Sequence, residues 1–338
     1  MLPRRGLVLI IIPRQCLLFI HTPERKARHA PAAPPMEKNA RHTAQNMHIT
    51  GIFTTVERVL SNLLAIFFAL ASALTVAWGT VIRHRIALDA DDSVMRAAMS
   101  NPLWWVGTAA AIGAYGLQVI ALGFGTLLVV QPILVLSLMF TLPLSAWYSG
   151  RKMPFHEVFW SIALTIAVGI MVIYGRPVAG NPRPEWSDWW PALLVGLTTL
   201  AILGAAAAKL PDQRPLALGT ACGVIYGFVA LLSKAVVDIF THEGLTTLLA
   251  SWQFYGLIGL ALTGTVVQQY SFNAGPLAHS LPAMTIFEPI VAFGLGYMVL
   301  GEKFLIDTAV GWAIMLIALT VMVLSTIVLS RSPVSQRG

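Results

Sequence analysis

From Leu60 onward the chain alternates between long apolar runs and short polar connections. Nine runs stand out, at residues 60–82, 103–122, 126–148, 158–174, 189–208, 216–240, 251–270, 277–300 and 308–329. Each is 17 to 25 residues long, the length a helix needs to cross the hydrocarbon layer of a bilayer. Strands of a membrane barrel would be about ten residues long with alternating polarity, a pattern this sequence lacks. Tryptophans punctuate several ends: Trp104 and Trp105, Trp147, Trp189 and Trp190, and Trp252. Amphipathic rings favour the headgroup layer, so these residues are expected at the membrane interfaces. The prediction is an all-α polytopic membrane helix bundle of about nine transmembrane helices.

Residues 1–59 read differently. The apolar stretch Leu7–Ile20 is broken by Pro13, Arg14 and Gln15 and is too short to span. Residues 21–47 have no periodicity and are rich in Pro, Ala, His and basic residues, as disordered segments are. Met36 and Met47 offer alternative starts, so this leader is expected to be disordered or to include a misassigned start. Residues 60–330 form the membrane domain, and 331–338 a short tail.

Composition narrows the class. Of 338 residues, 57% are hydrophobic and 11% charged, and the mean hydropathy is +0.73. Soluble domains carry roughly 25% charged residues, so an ordinary soluble enzyme is excluded. Disorder of the whole chain is excluded by the same hydrophobicity. The net charge of +7 fits basic loops that orient a membrane protein, and nucleic acid is not expected as a partner. Cys16 and Cys222 have no metal-ligand spacing and imply no disulfide framework.

The loops set an orientation. The side that holds the C-terminus carries nine basic residues: Arg83, Arg85, Arg96, Arg151, Lys152, Lys209, Arg214, Arg331 and Arg337. The other side carries Arg176, Arg183 and Lys303, and Arg41 and Arg58 of the leader raise it to five. The positive-inside rule then places the C-terminus in the cytoplasm of a cell with the protein in its cytoplasmic membrane. Counting all nine basic residues of the leader would bring that side to twelve and reverse the sign.

An internal repeat appears at an offset of 150–151. Arg83 matches Lys234; Gln118, Leu122 and Gly125 match Gln268, Phe272 and Gly275; Leu127 and Pro132 match Leu277 and Pro282. Gly150-Arg151-Lys152 matches Gly301-Glu302-Lys303, and Met171-Val172 matches Met322-Val323. The repeats are 60–174 and 216–329, joined by the linking helix 189–208. Five crossings separate equivalent helices, so the second unit is inverted. Inverted repeats are a mark of secondary transporters, whose substrate site lies near the midplane between the halves.

Glu288 is the sharpest chemical feature. It is the twelfth of 24 residues in the run 277–300, and no other acidic residue lies near the centre of a run. A charge at the bilayer centre costs about 2.5–3.5 kcal/mol on insertion scales, so it is expected to face the bundle interior or a cavity. Pro289 beside it removes one backbone N–H and kinks the helix. A structural, hydrogen-bonded carboxyl at a proline kink is the competing reading. Pro132 and Pro282 form the repeat-related pair, with Gln131 beside the first. Discontinuous helices at matching positions point to a transport site, although kinked structural helices are also common.

Gln118, Gln268 and Gln269 can bind a substrate or join helices, and helix packing is the commoner role. Tyr115, Tyr226 and Tyr255 are candidates to line a cavity. Asn273 and His279 flank the turn between the seventh and eighth runs. Lys234 and Asp238 lie four residues apart and can pair along one helix face. With His242 and Glu243 they form a polar cluster at the outer mouth, most simply snorkelling end groups. Asp89, Asp91 and Asp92 make an acidic run in the first loop without calcium-loop spacing. The sequence has no Gly-rich phosphate loop ending in Gly-Lys-Ser/Thr, no His-Glu-x-x-His and no Gly-x-Ser-x-Gly, so neither an enzyme nor a cofactor is expected, and no metal ligand set is assigned.

The segment Gly123-Phe-Gly-Thr-Leu-Leu-Val-Val-Gln-Pro-Ile-Leu-Val-Leu-Ser resembles the third helix of the drug/metabolite transporter superfamily. The segment from Ala274 through Glu288-Pro289 to Ala292, followed by Gly301-Glu302-Lys303, resembles the signature of EamA-type repeats. The nine-helix count and the Gln131-Pro132…Ser137 stretch are more similar to the NIPA-type magnesium-transporter branch. The resemblance, over roughly residues 60–330, implies a secondary transporter or facilitator. Two substrates follow as expectations. One is a small solute or metabolite exchanged for a proton at Glu288, since burial raises a carboxyl pKa toward neutrality. The other is magnesium or another divalent cation. A non-transporting scaffold or lipid-acting protein is the third reading. The expected partners are the lipid bilayer and a small-molecule or cation substrate, with a homodimer left open.

Overall fold

The computed structural model describes residues 57, 59–82, 102–148, 150, 152–181, 183–274 and 277–331. The leader with Cys16, the acidic loop Asp89–Asp92, the side chain of His279 and most of the tail lie outside the described residues. Everything described below belongs to one compact unit, Thr55–Gly338.

Among the described residues, nine helices follow in order. They are α1 (Val59–Ile82), α2 (Pro102–Phe124), α3 (Leu127–Tyr148) and α4 (Phe155–Gly169, extended by a π-turn over Ile170–Tyr174). Then come α5 (Trp186–Lys209), α6 (Arg214–Ala250), α7 (Trp252–Asn273), α8 (Leu277–Met298) and α9 (Ala309–Ser330). Eight are long and apolar enough to cross a membrane; α7, with its glutamines and tyrosines, falls below that hydropathy. The protein is an all-α, multi-pass membrane bundle.

Local chemistry fixes several helix ends. Glu185 and Asp188 close a capping box at the start of α5, and Thr308 Oγ1 accepts the Gly311 N–H at the start of α9 (3.1 Å). Gly244, at φ +83°, breaks α6 near its far end, a backbone conformation that glycine adopts without steric cost. Pro132, Pro143, Pro282 and Pro289 lie inside α3 and α8, which nonetheless run through them as single helices. The expected discontinuous helices are therefore not formed: the ladder loses individual bonds at each proline, and neighbouring helices hold the segments in line.

The centre of the bundle is α6. Of its most apolar 18 residues 83% are buried, against 17% for the linking helix α5. Its approach to α8 depends on a stripe of glycines. A Cβ at Gly219 would lie 2.6 Å from Ser280 O, one at Gly223 2.8 Å from Phe287 Cβ, and one at Gly227 2.6 Å from Val291 Cγ1. In lipid, where there is no hydrophobic drive between helices, small residues at four-residue spacing allow close backbone packing.

Several positions matched by the sequence offset also have similar surroundings. At the offset of 150, Gly219, Gly223 and Gly227 correspond to Ala69, Ala73 and Ala77 of α1, all fully buried. Ser72 Oγ donates to Ala114 O (2.7 Å), and its equivalent Cys222 Sγ donates to Gly264 O (3.7 Å). Gly150 and Gly301, which follow α3 and α8, have matching φ values of +64° and +65°. Equivalent helices meet across the two halves, α3 against α8 and α4 against α9.

Two features depart from the sequence expectations. Trp189 faces the protein interior: it is 2% exposed and packs edge-on to Trp252 at 4.8 Å. The helix starts at Trp186, which turns Trp186 and Trp190 outward and Trp189 inward. Second, Pro177–Val178 (β1) pairs antiparallel with Lys303–Phe304 (β2), clasping the α4–α5 and α8–α9 connections. Two-residue strands have no periodicity to read.

Candidate functional site

The residues singled out in the sequence fall into two groups in space. The first surrounds Glu288, midway along α8. The glycine stripe brings α6 so close that a Cβ at Gly223 would lie 3.1 Å from the Glu288 backbone nitrogen. Glu288 is half-buried and makes no hydrogen bond or ion pair among the described residues. Its carboxylate lies within electrostatic range of Cys222 and Tyr226 on α6. Tyr226 Oη donates to Gln268 Oε1 of α7 (3.1 Å), and Gln268 Nε2 points at Met284 Sδ of α8 (3.3 Å). One carboxylate, one phenol, one amide and two sulfurs are thus gathered where α6, α7 and α8 meet.

The first half has no such cluster. Its equivalents of Tyr226, Met284 and Glu288 are Val76, Leu134 and Leu138. Only Gln118 matches its counterpart Gln268, and it makes no hydrogen bond among the described residues. The packing follows the repeat, while the chemistry is confined to the second half.

Other expected site residues are placed differently. Gln131 is 1% exposed on α3 and its Nε2 has no hydrogen-bond partner among the described residues. Pro132 and Pro282 are both buried, each the sixth residue of its helix, and Pro289 is buried beside Glu288. Gln269 is exposed, as is Asn273. Tyr115 Oη bonds Ser233 Oγ at 2.8 Å and joins α2 to α6. Tyr255 is 60% exposed and donates to Leu249 O across the α6–α7 turn.

The second group lies at the end of the bundle opposite the C-terminus. The expected Lys234–Asp238 pair is not formed. Lys234 instead donates to Leu122 O (2.6 Å) and Gly125 O (2.7 Å) at the end of α2. Asp238 pairs with His242 (3.1 Å) and Arg183 (3.6 Å), and Arg183 also reaches Glu243 (3.1 Å). The carbonyls of a helix end offer Lys234 two acceptors at once, which outcompetes a single carboxylate one turn away. A cavity of about 380 Å³ opens here, lined by Asn62, Thr126, Asn181, Lys234, Asp238 and Glu302 among others.

In the sequence Glu302 is legible only as part of the Gly301-Glu302-Lys303 segment; the structure gives it a role of its own. It is 1% exposed, and its two oxygens accept the Leu127 N–H (3.0 Å) and the Leu128 N–H (3.1 Å) at the start of α3. Burial pushes its carboxyl above the usual range, although both N–H groups and Lys234 pull the other way. The available signal was the charge inversion between Arg151 and Glu302 at equivalent positions of the repeat.

The chain is 56% identical over 286 residues to an uncharacterised protein of Corynebacterium glutamicum, a match that covers 82% of this chain and 98% of the relative. No protein-family model matches the chain, and no solved structure matches it.

Proposed function

The chain belongs to one family with the corynebacterial protein, and we propose that it is a secondary transporter that moves a small solute across the membrane, with Glu288 loading and releasing a proton. The observation that carries this reading is broken symmetry. The two halves share packing down to equivalent side-chain hydrogen bonds, yet a mid-membrane carboxylate without a partner among the described residues occurs in one half only. A carboxylate kept only for structure would be bonded, because an unmet polar group in lipid is costly. Alternating access supplies the use for it: rocking of inverted halves exposes a midplane site to each side in turn. The similarity of α3 and α8 to drug/metabolite transporter segments supports the same class. A divalent cation held by one carboxylate, amide and carbonyl oxygens around a partly hydrated ion is the second reading, and uptake assays with competing Mg²⁺, Mn²⁺ and Co²⁺ separate it from the solute reading.

The test is solute-dependent proton flux. Liposomes holding the full chain and an internal pH-sensitive dye are challenged with panels of amino acids, organic monocations and sugars under a pH gradient. A solute-dependent dye response is expected in the native protein. It is lost in Glu288→Gln, whose melting temperature stays within a few degrees. Full coupled flux in that variant would refute the role of Glu288; no response to any solute in the native protein would refute the transporter reading.

A further inference from the structure

The connection between α2 and α3 is the tight turn Gly125-Thr126, with α2 ending at Phe124 and α3 starting at Leu127. Helix ends leave carbonyls and N–H groups without intrahelical partners. Here both sets are met from outside. The ammonium of Lys234 takes two carbonyls at the C-terminal end of α2, and the carboxylate of Glu302 takes two N–H groups at the N-terminal end of α3. Each charge has the sign that the adjoining helix dipole favours.

Both prongs come from the second half, Lys234 from α6 and Glu302 from the α8–α9 connection, whereas the turn they grip belongs to the first half. The four bonds therefore cross the boundary along which inverted halves must separate. We propose that Lys234 and Glu302 form a two-pronged latch that closes the end of the pathway opposite the C-terminus, and that its release opens that end. This rests on the transporter reading above.

Three further observations support it. The latch is not embedded in solid packing, since the 380 Å³ cavity adjoins both prongs and the turn. The neighbouring contacts are backbone clasps with few side chains to repack: Asn181 N donates to Leu300 O (2.7 Å), Leu305 N to Gly175 O (3.1 Å), and Gly180 abuts Leu300 and Gly301 without room for a Cβ. Finally, the Glu302 carboxyl group is 1% exposed, and burying a charge is costly even when it is bonded. An ion kept at such a cost is poor evidence for a purely stabilising role.

The test reads access from the latch end. In a Cys16→Ser, Cys222→Ser background, Leu295→Cys places a thiol on α8 between Glu288 and Glu302, where the native leucine is 6% exposed. Leu164→Cys, at a site fully buried in α4, reports general unfolding. Detergent-purified full chain is labelled with a hydrophilic maleimide. Glu302→Gln is expected to speed labelling at position 295 on the order of ten-fold, the scale of a lost charge-assisted bond, with position 164 unchanged. Lys234→Met should do the same, and it serves alone if Glu302→Gln does not fold. Unchanged labelling at 295, or a parallel rise at 164, would overturn the latch. Neither outcome depends on solute flux, so the latch and the transporter reading can fail separately.

Discussion

Gly223 of α6 faces the backbone of Glu288 so closely that a Cβ there would lie 3.1 Å from the Glu288 nitrogen and 2.9 Å from Met284 O. The glycine therefore sets how near the central helix comes to the one carboxylate at mid-membrane. Gly223→Val should push α6 and α8 apart. Overpacking of this kind costs about 1–3 kcal/mol or more, and the nearest neighbours, Phe287 Cβ, Met284 O and Glu288 N, cannot swing away. A marked fall in melting temperature is expected in detergent, with a smaller one for Gly223→Ala. A native-like melting point for the valine variant would show that the two helices are not bound this tightly.

Tyr226→Phe removes one interhelical hydrogen bond, from Tyr226 to Gln268. Such bonds in membrane proteins average about 0.6 kcal/mol, so the melting temperature should change by only a few degrees. If the cluster handles solute, apparent affinity in the liposome assay should shift more than stability does. Collapse of the fold would instead make Tyr226 a structural keystone.

Glu302 gives a pH signature. Its carboxyl sits above its ordinary value because burial outweighs its bonds. The native state thus binds its proton more tightly than the unfolded chain does. By linkage, its contribution to stability falls as pH rises through the interval from the unfolded value to the raised native one, and the cost is complete above it. The melting temperature of the native protein minus that of Glu302→Gln should therefore decline with rising pH across that interval. A difference that grows with pH would mean that the carboxylate is a net stabiliser.

The sequence determined the architecture. Run lengths located all nine helices, because a bilayer imposes one length scale and excludes polar backbone that is not internally bonded. The offset of 150 pairs positions that pack alike: Ala69, Ala73 and Ala77 of α1 stand where Gly219, Gly223 and Gly227 recur on α6. It also isolated Glu288, because a charge at mid-run is expensive and conspicuous. What the tertiary structure decided were the partners. Lys234 was legible as an end cation but not as a grip on α2, and Asp238, four residues away, lost it to carbonyls more than a hundred residues distant. Glu302 is legible in the sequence only within the Gly301-Glu302-Lys303 segment, and folding buries it against the start of α3. Hydrophobic periodicity records which face meets lipid and which meets protein. It carries no record of which charge meets which helix end, since that depends on where distant segments arrive after the bundle has closed.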